Sequence, residues 1–260
     1  QEYNLDVGGY ECSLYNLIPN TKYYYRLNLK LSDGTKTGTM GEFETVKSPR
    51  ILNVEGAVNA RDIGGYETFD GKKIKYGLLY RGSEIDGKVE SDFCLTDKGK
   101  TQMLDVLKVK YDMDLRAKAE TKDAPTPLGA DVEHKYYGAS AYSNFLKSDH
   151  NAKTRELFSA LADKDNYPIY VHCTYGRDRT GTLMYLVEAL LGVDDETLYK
   201  EYALSAFTDK YLETEKFETF VSEIDSMRGF STKQKVENWL LSIGVSQSEI
   251  NNIREILLED

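Results

Sequence analysis

The stretch His172-Cys-Thr-Tyr-Gly-Arg-Asp-Arg-Thr-Gly181 decides the fold of this chain. Within it, Cys173 and Arg179 enclose five residues. Residues 168–171, just before it, have the composition of a short buried strand. After it, five apolar residues recur at helical spacing: Leu183, Leu186, Val187, Leu190 and Leu191. Gly192 then predicts the end of this helix. The sequence therefore predicts a strand, a loop and a helix, with the loop at the helix N-terminus.

This arrangement indicates phosphate chemistry. Free N–H groups and the positive dipole end of a helix N-terminus favour a bound phosphate. The same environment lowers the pKa of a cysteine, so we expect Cys173 to be a thiolate at neutral pH. Arg179 offers a planar guanidinium that can hold two phosphate oxygens. Together they predict a metal-free site in which the thiolate attacks phosphorus and water hydrolyses the resulting phosphocysteine.

Two points qualify this prediction. Thr180, next to Arg179, is expected to hydrogen-bond the thiolate and help it leave in the second step. The bare spacing also fits a buried apolar cysteine that precedes an arginine by chance. The strand, glycine, hydroxyl residue and amphipathic helix in register favour the phosphate site.

The loop resembles that of the cysteine-based phosphatases, and within them a bacterial tyrosine/phosphoinositide phosphatase branch. That branch has a loop close to H-C-x-x-G-K-D-R-T-G, matched here by His172, Cys173, Gly176, Asp178, Arg179, Thr180 and Gly181. Arg177 stands where the family has lysine, which exchanges a point charge for a planar donor. Tyr175 is bulky for a position that faces the pocket.

Three further stretches resemble motifs of the same family. Asn59-Ala-Arg-Asp-Ile-Gly-Gly-Tyr66 is similar to N-x-R-D-x-G-G-Y, and Tyr80-Arg-Gly-Ser83 to the segment Y-R-S. Asp114-Leu-Arg116, with Glu120 four positions further on, is similar to D-L-R-x-x-x-E. The likeness covers roughly residues 50 to 260. It implies an α/β fold with a central, mostly parallel sheet flanked by helices, and it implies neither cofactor nor metal.

The resemblance also assigns roles to residues. Catalysis falls to Cys173, Arg179 and Asp178. Substrate binding falls to the other loop residues, which are Thr174, Tyr175, Gly176, Arg177, Thr180 and Gly181. A supporting role falls to His172, Asp114 and Arg61.

The general acid has several candidates. Asp178 leads because the resemblance places the acid within the loop, and protonation of the leaving oxygen contributes about 10²–10⁴-fold in rate. In other cysteine phosphatases the acid is an aspartate on a separate upstream loop, a role open to Asp114, Asp123, Asp131 and Asp149. Alternatively, Asp178 is a structural carboxylate that ties the loop to Arg177.

The stretch 59–66 is expected to be mainly structural. Gly64 and Gly65 permit a tight turn with unusual backbone angles. Arg61 and Asp62 are expected either to pair with each other or to support the phosphate loop from behind. Support is favoured over contact with substrate.

Composition narrows the classes of partner. The 260 residues carry a formal net charge of −10, which argues against a nucleic acid partner. The three cysteines, Cys12, Cys94 and Cys173, make no disulfide framework. His134, His150 and His172 show no metal-ligand spacing, and each is expected to lie at the surface or to support a loop. No apolar stretch approaches the ~20 residues of a membrane span.

The N-terminal region differs in kind. Residues 23–31 alternate between apolar and polar side chains, residues 32–35 form a turn signal, and a second strand begins at residue 41. Residues 17–23 resemble the tyrosine-corner stretch of a fibronectin type III domain, so residues 1–48 are expected to be a three-stranded antiparallel appendage and residues 49–260 the phosphatase domain. A linker or stabilising element is favoured over an adhesive or targeting module. The start at Gln1, with no signal peptide, suggests that an N-terminal piece has been removed, and this slightly favours a secreted or cell-envelope location.

The remaining chain is expected to be helical after the loop. Helices are predicted from residues 194–196, over 210–224, from 230–232 and after 244–246. The segment between Glu120 and Asn151 contains Pro125, Pro127, Gly129 and Gly138, and it is too long for a plain connection. It is therefore expected to be a lid or a substrate-recognition loop.

Two classes of function follow from the sequence. The first is a phosphomonoester hydrolase for phosphotyrosine proteins, with phosphoinositides or soluble inositol phosphates as alternative substrates. The second is a phosphate-reading binding module that has lost turnover. The intact Cys173, Asp178 and Arg179 favour the hydrolase.

Overall fold

The structure is a computed structural model, and it describes residues 13–30, 32–34, 36–47, 49–88, 91–208 and 211–259. Cys12, Leu31, Thr35, Ser48 and Lys210, which enter the predictions above, lie outside these residues.

A six-stranded sheet lies at the centre of the larger part of the chain. Its order is β3-β4-β5-β8-β6-β7. Four strands run parallel, and they are β5 (Leu79–Gly82), β8 (Ile169–His172), β6 (Tyr111–Asp114) and β7 (Glu133–Tyr136). The two antiparallel strands at one edge are β3 (Arg50–Ile51) and β4 (Arg61–Asp62). The predicted α/β class with a mostly parallel central sheet is confirmed.

Helices cover the sheet and fill most of the C-terminal half. They are α1 (Asp97–Thr101), α2 (Lys118–Thr121), α3 (Asn151–Leu161), α4 (Asp178–Leu191), α5 (Asp195–Ala203), α6 (Thr214–Asp225), α7 (Thr232–Ser242) and α8 (Gln247–Leu257). A π-helical turn spans Gln102–Val106, and short 3-10 turns include Tyr142–Leu146 and Leu204–Phe207. None of the helices in the described part of the chain is long and apolar enough to span a membrane.

Most helix starts and stops predicted from the sequence coincide with the ends of helices in the structure. Gly192, in the left-handed conformation at a φ of 97°, ends α4 as expected. The side chains of Asp194, Ser231 and Ser246 cap the helices that follow them. The helix predicted over 210–224 begins later, at Thr214.

The core lies on both faces of the sheet. On one face α4 packs in the middle, and from Thr180 to Leu191 all of its residues are buried. The central strand β8 is likewise buried throughout. The helical spacing of Leu183, Leu186, Val187, Leu190 and Leu191 thus marks a helix that is enclosed on all sides from Thr180 onward.

The segment predicted as a lid is not a plain loop. It contains the edge strand β7, the 3-10 turn Tyr142–Leu146, and the end of α2. The sequence Glu133-His-Lys-Tyr136 has no apolar alternation because β7 is a half-exposed edge strand. The strand was therefore missed.

Among the described residues the N-terminal appendage is a two-stranded hairpin, which confirms the small antiparallel element with one strand fewer than expected. Strands β1 (Lys22–Lys30) and β2 (Lys36–Glu44) pair antiparallel over their full length. It approaches the phosphatase part through Asn16, whose side chain exchanges hydrogen bonds with the Asn53 backbone at 2.7 and 3.1 Å. The domain boundary at 48/49 stays a prediction.

Candidate active site

The candidate site is the turn between the central strand and the central helix. Strand β8 ends at His172, and α4 begins at Asp178, so the loop of residues 173–177 sits at the N-terminus of a 14-residue helix. Gly176 adopts a φ of 65°, and a Cβ there would lie 2.2 Å from the carbonyl oxygen of Gly82. Because that neighbour is backbone, glycine is required for the loop to pack against the end of β5.

Cys173 lies at the bottom of this turn and is 3% exposed. Burial disfavours its thiolate, but hydrogen bonds from Thr180 and Gly176 and the charge of Arg179 outweigh burial and lower the pKa of the thiol. The Thr180 hydroxyl is buried, and of the groups that lower the pKa of the Cys173 thiol its side chain comes first. The thiolate expected from the sequence stays a prediction.

Arg179 is fixed by a carboxylate from another element. Its Nη1 donates to both oxygens of Glu120, at 2.8 and 3.0 Å, and its Nη2 approaches the Thr174 hydroxyl at 3.3 Å. Burial alone would lower the pKa of Arg179, but Glu120 and Cys173 raise it. The guanidinium therefore stays charged and oriented beside the thiolate. Glu120 belongs to a motif noted in the sequence, although its contact with Arg179 was not foreseen.

Two side chains hold the loop from behind. The Asn59 side-chain amide donates to the carbonyl oxygens of Tyr175 and Gly176, at 3.2 and 3.1 Å. The fully buried Arg81 donates from Nη2 to the Gly176 carbonyl at 2.6 Å. Since C=O and N–H point in opposite directions across a peptide bond, carbonyls anchored behind the loop leave its amides free to face an anion.

Arg61 supports this arrangement indirectly. Its Nε donates to Glu201 Oε1 at 2.6 Å, its Nη1 to the Asn59 backbone carbonyl at 3.2 Å, and Arg81 Nη1 donates to Glu201 Oε2 at 2.7 Å. Arg61 and Asp62 do not pair, because consecutive residues of β4 point to opposite faces of the sheet. Asp62 instead accepts from Arg50 at 2.8 Å. Arg61 thus contacts two residues, Asn59 and Glu201, that are linked to the loop, and its supporting role stays a prediction.

Glu188 is a second glutamate near this cluster. It is fully buried on α4, and both carboxylate oxygens have no hydrogen-bond partner among the described residues. Burial, together with the nearby charge of Glu201, raises the pKa of Glu188 well above its usual value. The two arginines, Arg61 and Arg81, therefore face one carboxylate, Glu201, and a carboxyl group that prefers to be neutral.

The Asp178 carboxylate is held by two neighbours, Arg177 and Tyr142. Arg177 donates from Nε and Nη2 to its carboxylate at 2.9 to 3.2 Å. On the other side, the Tyr142 hydroxyl donates to Oδ1. The contact with Arg177 is the one expected if Asp178 has a structural role. The Asp178 side chain is nevertheless 27% exposed, so solvent or a substrate can reach its carboxyl group.

The other candidate acids lie in different surroundings. Asp114 has a fully buried side chain and accepts three hydrogen bonds from the Arg116 guanidinium, at 2.6 to 3.0 Å. Burial would raise its pKa, but His172, His134 and Arg116 bring the pKa of Asp114 well below its usual value. Asp114 is thus held as a carboxylate without a proton to give. The carboxylates of Asp123 and Asp149 are 63% and 77% exposed, with partners at Lys118 and His150, and Asp131 is also exposed.

His172 is a buried residue rather than a surface one. Its Nε2 lies 2.8 Å from Asp112 and 3.8 Å from Asp114. Burial opposes its charge, yet the two aspartates raise the pKa of His172 to about 9. The imidazole that precedes Cys173 in the chain therefore favours its charged form at neutral pH, and its supporting role stays a prediction.

The remaining predicted binding residues divide into two groups. Thr174 and Tyr175 lie half-buried at the loop surface, and the Tyr175 ring meets the Phe93 ring edge-on with centroids 5.6 Å apart. Gly181 lies inside the first turn of α4, where a Cβ would lie 3.2 Å from the Tyr202 ring. Gly181 is thus closely packed against Tyr202, and its predicted contact with substrate stays a prediction. No cluster of metal-ligating side chains occurs within the described ranges.

Comparisons with known proteins agree with the motifs. Residues 52–259 match the tyrosine phosphatase family. A tyrosine-protein phosphatase from Nostoc commune is 29% identical over 134 residues, which cover 43% of this chain. The match spans 45% of that relative, less than half of its length.

Two solved structures are also similar to this chain. The core catalytic domain of the PP-IP phosphatase SIW14 from S. cerevisiae, in complex with citrate, is 19% identical with a TM-score of 0.41, covering 73% of this chain and 97% of that one. TpbA from P. aeruginosa is 17% identical, with a TM-score of 0.41. The match covers 66% of this chain and 89% of TpbA. The family match over most of the chain, with the motifs in order and a cysteine–arginine loop at the end of the central strand, shows that this chain belongs to the tyrosine phosphatase family.

Proposed function

We propose that this chain is a phosphomonoester hydrolase that works through a phosphocysteine on Cys173. The observation that carries the proposal is the buried thiol of Cys173, its pKa lowered, at a helix N-terminus with the Arg179 guanidinium beside it. A thiolate, a fixed planar cation and free loop amides are the groups that an in-line attack on a phosphate monoester requires.

The reaction has two steps. In the first, the Cys173 sulfur attacks phosphorus, the S–P bond forms as the P–O bond to the leaving group breaks, and Asp178 gives the leaving oxygen its proton. In the second, water attacks phosphorus, gives a proton to Asp178, and releases inorganic phosphate and the thiolate. Arg179 and the loop amides stabilise the charge on the equatorial oxygens in both steps. The Thr180 hydroxyl stabilises the departing thiolate.

A phosphotyrosine side chain is the favoured substrate. The edge-on pair of Tyr175 and Phe93 places an aromatic wall beside the loop, suited to contact with a phenyl ring. The nearby cations Arg177 and Arg116 are paired with carboxylates, at 2.9 Å and 2.6 Å, so they are not free to bind additional phosphates. Phosphoinositides and inositol phosphates are the second candidate, and a further phosphate on them would require Arg177 to give up its contact with Asp178.

The test compares variants and substrates. Cys173→Ser is expected to abolish hydrolysis of a phosphotyrosine peptide while the loop still binds vanadate, because Arg179 and the amides remain. Arg179→Lys is expected to lose at least tenfold in kcat/KM, since lysine cannot make the bidentate contact. Full activity in Cys173→Ser would contradict the covalent mechanism. A higher kcat/KM for phosphoinositides than for phosphopeptides would overturn the substrate assignment.

A further inference from the structure

Tyr142 is an unusual residue near the candidate site. It is a non-glycine residue with a φ of 54°, in the left-handed region that side chains of this size rarely adopt. It is also 6% exposed, at the start of the 3-10 turn Tyr142–Leu146. Such backbone strain persists only where surrounding contacts hold it, and it concentrates at functional positions.

The contacts of Tyr142 converge on Asp178. Its hydroxyl donates to Asp178 Oδ1, and its backbone N–H donates to the Thr182 hydroxyl at 2.8 Å. The Thr182 hydroxyl in turn donates to the Asp178 backbone carbonyl at 2.8 Å. The strained residue therefore reaches both the side chain and the main chain of Asp178, from an element 36 residues away in sequence.

A second tyrosine fixes the first. The hydroxyls of Tyr142 and Tyr202 lie 2.8 Å apart, and because Tyr142 donates to Asp178, Tyr202 must donate to Tyr142. The Tyr202 ring stacks on Phe217 with centroids 3.7 Å apart and 3° between the planes. Tyr202 is 2% exposed, so its hydroxyl position is set by packing on α5 and α6.

We propose that Tyr142 is a positioning residue that, supported by Tyr202, holds the Asp178 carboxyl in the orientation needed for proton transfer to the leaving group. This inference rests on the proposed function. The groups that face the carboxyl are Tyr142 from the 3-10 turn, Arg177 from the loop and, through Tyr142, Tyr202 from α5. Arg177 contacts the carboxylate from one side only. The Tyr142 hydroxyl contacts Oδ1 from another element, and this second contact prevents the carboxyl from rotating when the Arg177 side chain moves.

The kinetic test is a double-mutant cycle with two substrates. Tyr142→Phe should lower kcat at least fivefold for a phosphotyrosine peptide, whose phenolate needs a proton, and less than twofold for an aryl phosphate with an activated leaving group. In an Asp178→Asn background, Tyr142→Phe should have no further effect. Tyr202→Phe keeps the Tyr142 hydroxyl that donates to Asp178, so its kcat for the phosphotyrosine peptide should lie between those of the wild type and Tyr142→Phe. Equal losses for both substrates, or losses that add in the Asp178→Asn background, would overturn the proposal.

A second measurement does not depend on activity. The denaturation midpoints of Tyr142→Phe, Asp178→Ala and the double variant should be non-additive, because either single change removes the one hydrogen bond that the two groups share. Additive midpoints would contradict the contact itself. If the wild-type protein hydrolysed neither ester, the proposed function would fail, whereas the unfolding cycle would still decide whether Tyr142 holds Asp178.

Discussion

Glu120 receives two hydrogen bonds from Nη1 of Arg179, at 2.8 and 3.0 Å, across 59 residues of sequence. Glu120 sits on the short helix α2, and its side-chain Oε1 also accepts a hydrogen bond from the Ala117 backbone N–H at the start of that helix, at 2.8 Å. The orientation of the arginine in the phosphate loop therefore depends on a helix that follows strand β6. This relation gives a functional meaning to the glutamate of the D-L-R-x-x-x-E stretch.

We expect Glu120→Ala to raise KM for an aryl phosphate by about two- to fivefold with little change in kcat. The ion pair is partly exposed, and such pairs contribute about 0.2–1 kcal/mol. Steady-state kinetics measure the effect. Glu237→Ala is the control, because Glu237 pairs at 2.8 Å with Arg254, an arginine as exposed as Arg179, but lies on α7. A lower KM in Glu120→Ala would mean that the carboxylate competes with substrate instead of orienting Arg179.

Arg81→Lys should impair both catalysis and stability. Arg81 bridges Glu201 and the Gly176 carbonyl with two separate Nη atoms, and lysine cannot span both. We expect kcat/KM to fall at least tenfold and stability to drop by about 3–5 kcal/mol if the buried charge of Glu201 loses a partner. Kinetics together with urea unfolding will measure the two effects.

The matched control for Arg81→Lys is Arg50→Lys. Arg50 is also buried and pairs with an aspartate, Asp62, but its contacts do not include the phosphate loop. It should lose stability while the folded enzyme keeps its kcat/KM. A similar kinetic loss in both variants would show that Arg81 acts only through general stability.

Thr180→Ala should raise the pKa of the Cys173 thiol. Burial already disfavours the thiolate, and the variant removes the hydroxyl that opposes this effect. Alkylation by iodoacetamide, followed against pH in a Cys12→Ser, Cys94→Ser background, should shift to higher pH in Thr180→Ala. Thr180→Ser keeps the hydroxyl and should react as the parent does. An unchanged alkylation profile in Thr180→Ala would show that Arg179 and the loop amides suffice.

The strand–loop–helix unit was predictable because its signals are local. The apolar residues of β8 and α4, the stop at Gly192 and the cysteine–arginine spacing all lie within 25 residues of one another. Helix N-terminal electrostatics then follow from the order of the elements alone. The position of the thiol and its chemical state could therefore be expected from the sequence.

The supporting side chains were not predictable in the same way. Arg81 meets Gly176 across 95 residues and Glu201 across 120, and Tyr142 meets Tyr202 across 60. Periodicity indicates which face of an element is buried but not which distant side chain meets it there. Asp114 shows the same limit: its sequence suits a general acid, whereas its buried pairing with Arg116 is a consequence of tertiary structure.

His172 should make stability depend on pH above neutrality. Its pKa is raised from 6.5 to about 9 in the folded chain, so its contribution is fully present below pH 6.5 and is lost as the pH rises through about 9. At about 1.36 kcal/mol per unit, the loss approaches about 3 kcal/mol. The Cys173 thiol acts in the opposite direction, because its lowered pKa favours the folded state as the pH rises. The measurement therefore uses Cys173→Ser, with urea unfolding at intervals from pH 6 to about 9.5. Stability should fall across this window in Cys173→Ser and fall less steeply when His172→Asn is added; the remaining slope comes from the buried Glu188, whose raised pKa acts in the same direction. Parallel curves for the two proteins would show that the charge on His172 is not what Asp112 and Asp114 stabilise.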